Sequence, residues 1–130
     1  MRDFRCWVLM GALLSLPACG GRDNEVANVN GSGKGGLSSR YEAAIAINSI
    51  AKRNEALSAV ARDAAKEGDA GVVKKCIQSI NSISVRDDAA FTAAIALAQF
   101  GKGQEAKEVA QTINDITRRD EALAKIAKGN

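Results

Sequence analysis

The sequence predicts an all-α protein built from stacked helix pairs, and three observations carry that prediction. A phrase recurs at a fixed interval: Ile47-Asn48-Ser49-Ile50 leading to Arg53-Asn54-Glu55-Ala56-Leu57, then Ile80-Asn81-Ser82-Ile83 leading to Arg86-Asp87-Asp88-Ala89-Ala90, then Ile113-Asn114-Asp115-Ile116 leading to Arg119-Asp120-Glu121-Ala122-Leu123. The interval is 33 residues both times, which implies supersecondary units that each need a neighbour to bury their apolar face. From Arg40 onward there is no proline, so nothing forbids continuous helices joined by short turns. Apolar residues over the same stretch recur at helical rather than alternating spacing.

The chain begins with a different kind of segment. Met1-Arg2-Asp3-Phe4-Arg5 is short and net positive, and an apolar run follows from Cys6 to Leu16. A bilayer span needs about 20 apolar residues, so this run has the length of a signal-peptide core instead. It ends in Leu16-Pro17-Ala18-Cys19, which resembles the lipobox of bacterial lipoproteins. The resemblance implies a signal peptide over 1–18 and a diacylglyceryl group with palmitate-type chains on Cys19. Pro17 departs from the usual small or β-branched residue. Ordinary cleavage after Ala18 would give a soluble secreted protein, but Leu16 is large for that signal. More than one acyl chain gives stable membrane residence. Gly20 stands where an aspartate would mark retention at the inner membrane. The resemblance therefore implies the periplasmic face of the outer membrane, or the outer face of the cytoplasmic membrane in a host with one membrane.

Residues 19–39 read as the lipidated cysteine and a flexible tether, rich in Gly, Asn and Ser, with a short apolar hint at Val26, Ala27 and Val29. A coil of about 20 such residues spans roughly 25 Å. Gly31-Ser32-Gly33-Lys34-Gly35-Gly36 satisfies G-x-G-x-x-G, but no flanking strands are expected, and Gly35 stands where a Walker loop needs Ser or Thr. Glycine density alone accounts for the match.

The repeat domain is expected over 40–130, with two alternating kinds of helix. One kind covers about 54–67, 87–100 and 120–128, and the other about 41–51, 70–83 and 104–116. Asn54, Asp87 and Asp120 read as N-caps, with Glu55, Asp88 and Glu121 favouring the positive end of the helix dipole. Gly68, Gly101 and Gly129 read as C-terminal stops. The second kind is amphipathic: Val72, Val73, Cys76, Ile77, Ile80 and Ile83 share a side, and Val109, Ile113 and Ile116 repeat it. The helix around 87–100 is apolar almost all round, which places it at the centre. Asn48, Asn81 and Asn114 are expected to bond backbone at the junctions.

Ala61, Ala94 and Ala127 in the first kind of helix, the turn glycines Gly68 and Gly101, and the Gly101-to-Ala106 spacing together resemble the tetratricopeptide repeat family over about 90 residues. The period of 33 rather than 34, Val73 in place of the second-helix alanine, and the absent closing proline are departures. The resemblance implies a short right-handed α-solenoid of antiparallel helix pairs, with a concave groove lined by the first kind of helix. Carried over position by position, that groove would present Glu55, Ser58, Arg62, Lys66, Asp88, Phe91, Ile95, Gln99, Glu121, Ala124 and Lys128. Phe91 and Ile95 are either anchors for a partner or ordinary core.

The chain holds no histidine, which removes His-based triads and the commonest general base and metal ligand. After processing, Cys76 is the only unacylated cysteine, and it lies within an apolar stripe. Asp87-Asp88 and Asp120-Glu121 are explained by their place at helix starts. No enzyme activity, cofactor or metal is expected. With 18 Lys and Arg against 15 Asp and Glu, and the two signs interspersed, no nucleic-acid partner is expected either. The reading is a membrane-anchored scaffold that holds a protein or peptide partner in the cell envelope. The alternative is a structural or inhibitory envelope lipoprotein that self-associates, as a homodimer for instance.

Overall fold

In a computed structural model the described residues are 34–129, and they form six helices: α1 (Lys34–Ile45), α2 (Ile50–Lys66), α3 (Ala70–Ser79), α4 (Ile83–Gln99), α5 (Gly103–Ala110) and α6 (Ile116–Lys128). The chain is thus all-helical over this range, with no strand among the described residues. The helices form two rows. In one, α4 packs between α2 and α6; in the other, α3 packs between α1 and α5. Each helix of the first row also packs on a neighbour in the second: α2 on α3 and α1, α4 on α5 and α3, α6 on α5. The starts of α2, α4 and α6 are spaced as the repeated phrase is, and so are those of α3 and α5.

The helix boundaries correct the sequence reading at one recurrent place and at the start of α1. The first-row helices begin at Ile50, Ile83 and Ile116, four residues before the expected caps Asn54, Asp87 and Asp120. The residues in cap position are Ser49, Ser82 and Asp115, each with extended backbone (φ −69, −79 and −68°). Their carbonyls accept the amides of Arg53, Arg86 and Arg119 at 2.8, 2.9 and 2.9 Å, closing the first turn. Asp115 also accepts the Arg118 amide on its side chain at 3.0 Å. Ser and Asp are as well suited to this position as Asn, so the phrase itself contains the cap. Helix α1 begins at Lys34, seven residues early, and Leu37 is buried. Residues 34–39, expected in the tether, are therefore helical; Cys19, the leader over 1–18 and residues 19–33 lie outside the described residues.

The expected stops hold. Gly68 and Gly101 have φ of +73 and +85°, a conformation glycine adopts without penalty. After each, the paired bonds of a Schellman turn form: Gly68 to Ala65 and Asp69 to Ala64, then Gly101 to Ala98 and Lys102 to Leu97. At Gly68 the space is also taken, since an added Cβ would lie 2.2 Å from the Phe100 ring of the next helix pair.

The core runs between the rows. Leu37, Leu57, Leu97, Ile80 and Ile113 are its largest buried residues, and burying each contributes about 1.5–3 kcal/mol. Between them lie Ala61, Ala64, Ala65, Ala90, Ala93 and Ala94, all fully buried. Alanine lets α2 and α4 approach closely, so a larger side chain at Ala93 would cost about 1–3 kcal/mol by overpacking. Helix α4 buries Ala89, Ala90, Ala93, Ala94 and Leu97 against its neighbours on several sides, the central placement its composition predicts.

Candidate functional site

Asn54 and Asp87 do not cap their own helices. Each sits one turn inside α2 or α4, only 4% exposed, and reaches across to the next phrase in the chain. The Asn81 amide donates to Asn54 Oδ1 at 3.1 Å. One repeat later, the Asn114 amide and side-chain Nδ2 donate to Asp87 Oδ1 at 3.1 and 3.0 Å, and the Asp115 amide donates to Asp87 Oδ2 at 3.0 Å. The turns Ile80–Ser82 and Ile113–Asp115 leave these donors without a helical acceptor, and the buried Asx side chain supplies one. Asn81 and Asn114 stand at the junctions but do not bond backbone there as expected: their backbone N–H groups and the Asn114 side chain donate to the Asn54 and Asp87 side chains, and Asn48 makes no such bond among the described residues.

The electrostatics of Asp87 follow from this geometry. Burial pushes its carboxyl up, but the bonds from Asn114 and Asp115, with the Arg86 guanidinium nearby, outweigh that and hold it below the ordinary aspartate value. Cys76 shows the opposite balance. Burial pushes its thiol up to about 11, against a smaller lowering by Arg40. It therefore stays protonated at neutral pH and packs as a small hydrophobe.

The junctions set the spacing of the face formed by α2, α4 and α6. A groove of about 620 Å³ lies on it, lined by Ile50, Ala51, Asn54, Glu55, Ser58, Arg62, Ser82 and Val85. Of the residues expected to line a groove, Glu55, Ser58 and Arg62 come together here. Lys66 and Gln99 meet at a smaller depression of about 210 Å³ beside Ala96 and Phe100. Asp88 pairs with Arg118 of α6. Phe91 is half-buried against the core, and its ring is overlaid by Arg118 and by Lys125, at 5.9 and 5.1 Å from the centroid. Ile95 is half-buried, while Glu121, Ala124 and Lys128 are exposed on α6. Glu121 pairs with Lys125 at 2.9 Å.

One feature of this face was hidden from sequence reasoning. Ile50, Ile83 and Ile116 are 57, 59 and 64% exposed, a ladder of large apolar side chains at the first positions of α2, α4 and α6. Ile83 and Ile116 were expected to close the buried stripe of the preceding helix. The stripe ends instead at Ile80 and Ile113, which are buried, and the next helix starts three residues later. The recurrence of Ile directly after Ser, Ser and Asp was the signal: behind an N-cap it is the first helical residue, in line with Leu57, Ala61 and Ala64 but one turn before the buried part of that face begins at Asn54.

The second row carries a polar site of its own. Lys74 of α3 pairs with Glu108 of α5. The hydrogen bond and charge from Lys74 hold the exposed Glu108 carboxyl below its ordinary value. Among the described residues there is no cluster of metal-ligating side chains, and no helix is long and apolar enough to cross a membrane. Comparison with known proteins brings no match: no family model fits the chain, and no curated protein or solved structure is similar to it.

Proposed function

We propose that this chain is a lipid-anchored scaffold of the bacterial cell envelope, holding a protein or peptide partner on a tetratricopeptide-like α-solenoid. The observation that carries the reading is the ladder of Ile50, Ile83 and Ile116 beside the α2–α4 groove. Single exposed apolar residues are ordinary, but three in register along one edge form the kind of patch that partners bury. Glu55 and Arg62 in the groove supply charges of both signs for orienting a ligand. The solenoid assignment draws on the two rows of helices, their common spacing and the turn glycines Gly68 and Gly101. The anchor draws on Leu16-Pro17-Ala18-Cys19 at the end of the apolar leader.

The test compares the chain with its Ile83→Glu variant by cross-linking in cells, membrane extraction and quantification of co-purifying protein. A fall in capture with helicity and melting temperature unchanged supports the reading, and equal capture overturns it. Palmitate incorporation and membrane fractionation that survive Cys19→Ala would remove the anchor.

A further inference from the structure

The interior junctions define what the two ends of the helix array lack. At the α6 end, Asp120 holds the place of Asn54 and Asp87, yet it is exposed and accepts no hydrogen bond among the described residues. Leu123 is half-buried and Ala127 exposed, although their counterparts Leu57, Ala90, Ala61 and Ala94 are fully buried. At the α1 end the complementary half is open. The amides of Asn48 and Ser49, counterparts of those of Asn114 and Asp115, meet no acceptor among the described residues. An apolar groove of about 550 Å³ lies between α1 and α2, with Ala43, Ala44, Ile47, Ala56 and Val60 in its lining. One repeat on, the equivalent Cys76, Ile77, Ile80, Ala89 and Ala93 are all buried under the preceding helices.

Charge is complementary as well. The interior interfaces carry Asp88 with Arg118 and Lys74 with Glu108. Advancing those pairs one repeat, with a second copy continuing the array, sets Glu121 against Lys52 of the next copy and Lys107 against its Glu42. Both contacts join opposite signs.

We propose that copies of this chain stack head to tail, with α6 of one copy seated on α1 and α2 of the next. Asp120 then accepts from the Asn48 and Ser49 amides of the next copy, as Asp87 accepts from Asn114 and Asp115 within one chain. The contact is heterologous, so it builds rings or open filaments rather than a two-fold dimer. It rests on the end faces alone and stands whether or not the isoleucine ladder binds a partner.

Directed cross-linking tests the geometry. In the full chain in mild detergent, with Cys6 and Cys19 replaced by serine, one preparation carries Glu121→Cys and another Lys52→Cys. Head-to-tail stacking gives disulfide-linked dimers when the two are mixed and little linkage in either alone. Linkage within a single variant means a two-fold dimer and overturns the proposal. A monomer at all concentrations in sedimentation velocity overturns it too, including the case in which residues before Lys34 cover the groove of their own chain. Asp120→Ala separates the junction from general stickiness. It is expected to weaken association roughly tenfold or more, the scale of a lost hydrogen bond to a charged acceptor, while the melting temperature of the dilute protein is unchanged. Unaltered association in that variant would also sink the proposal.

Discussion

The two interior junctions share a register and differ in chemistry. Between α2 and the turn before α4, Asn54 offers a neutral oxygen to one amide, that of Asn81. Between α4 and the turn before α6, Asp87 offers a carboxylate that receives two amides and one side-chain nitrogen. Both side chains are equally buried, so the contrast isolates the acceptor. A buried carboxylate costs more to desolvate than an amide, and only several donors offset that cost. The α4–α6 junction supplies them because Asn114 turns its side chain inward as well as its backbone. The same architectural joint is thus built once as a weak, pH-independent bond and once as a stronger, ionisable one.

The largest effect is expected at the charged joint. Asp87→Ala removes three bonds to a charged acceptor and leaves the Asn114 and Asp115 amides without their partner. We expect a loss of about 3 kcal/mol, since bonds to charged groups contribute about 1.5–3 kcal/mol each and are not additive. Urea denaturation followed by helical circular dichroism measures it. A loss below 1 kcal/mol would mean that water replaces the carboxylate at no cost. Asn54→Ala, probed in the same way, removes one neutral bond and should cost about 1 kcal/mol. Equal losses in the two variants would erase the distinction between the joints.

These joints also show what the sequence disclosed and what it concealed. The unit length, the alternation of two helix kinds, the stops at Gly68 and Gly101 and the central place of α4 were legible. Each depends on periodicity or on the chemistry of a single residue. The junction was not, because its residues have two plausible local roles. Asn54, Asp87 and Asp120 stand before apolar stretches and are good caps, but Ser49, Ser82 and Asp115 are equally good and stand five residues earlier. Choosing between them requires knowing that Asn81 and Asn114 come back to meet α2 and α4, a contact 27 residues away in the chain. The same misplacement affected the face formed by α2, α4 and α6. Placing the cap late folded Ile83 and Ile116 into the preceding helix and hid the exposed ladder. The groove residues Glu55, Ser58 and Arg62 were reachable by counting helical positions, whereas Ser82 and Val85 enter the same groove from the next unit.

The smallest expected effect sharpens the contrast most, because it converts one joint into the other. The Asp87 carboxyl is held below its ordinary value in the folded chain. Its contribution is therefore present in full above the unfolded aspartate pKa of about 3.9, and is lost as pH falls through the lower folded value. Asn54 contributes equally at every pH. In Asn54→Asp the new carboxylate meets the Asn81 amide, and Asn81 and Ser82 hold the places of Asn114 and Asp115. If the turn can rotate the Asn81 side chain and the Ser82 amide inward, the second joint's bonding is reproduced. Stability at pH 7 should then stay within about 1 kcal/mol of the parent, desolvation and new bonds nearly cancelling. The acid limb below about pH 4 should steepen, since a second group must now bind a proton on unfolding's side of the balance. A large loss at pH 7 that is partly regained as pH falls would show that the α2–α4 turn is too rigid to supply more than one donor, leaving the buried carboxylate with a raised folded value. Asparagine at 54 would then be dictated by the turn rather than by the acceptor.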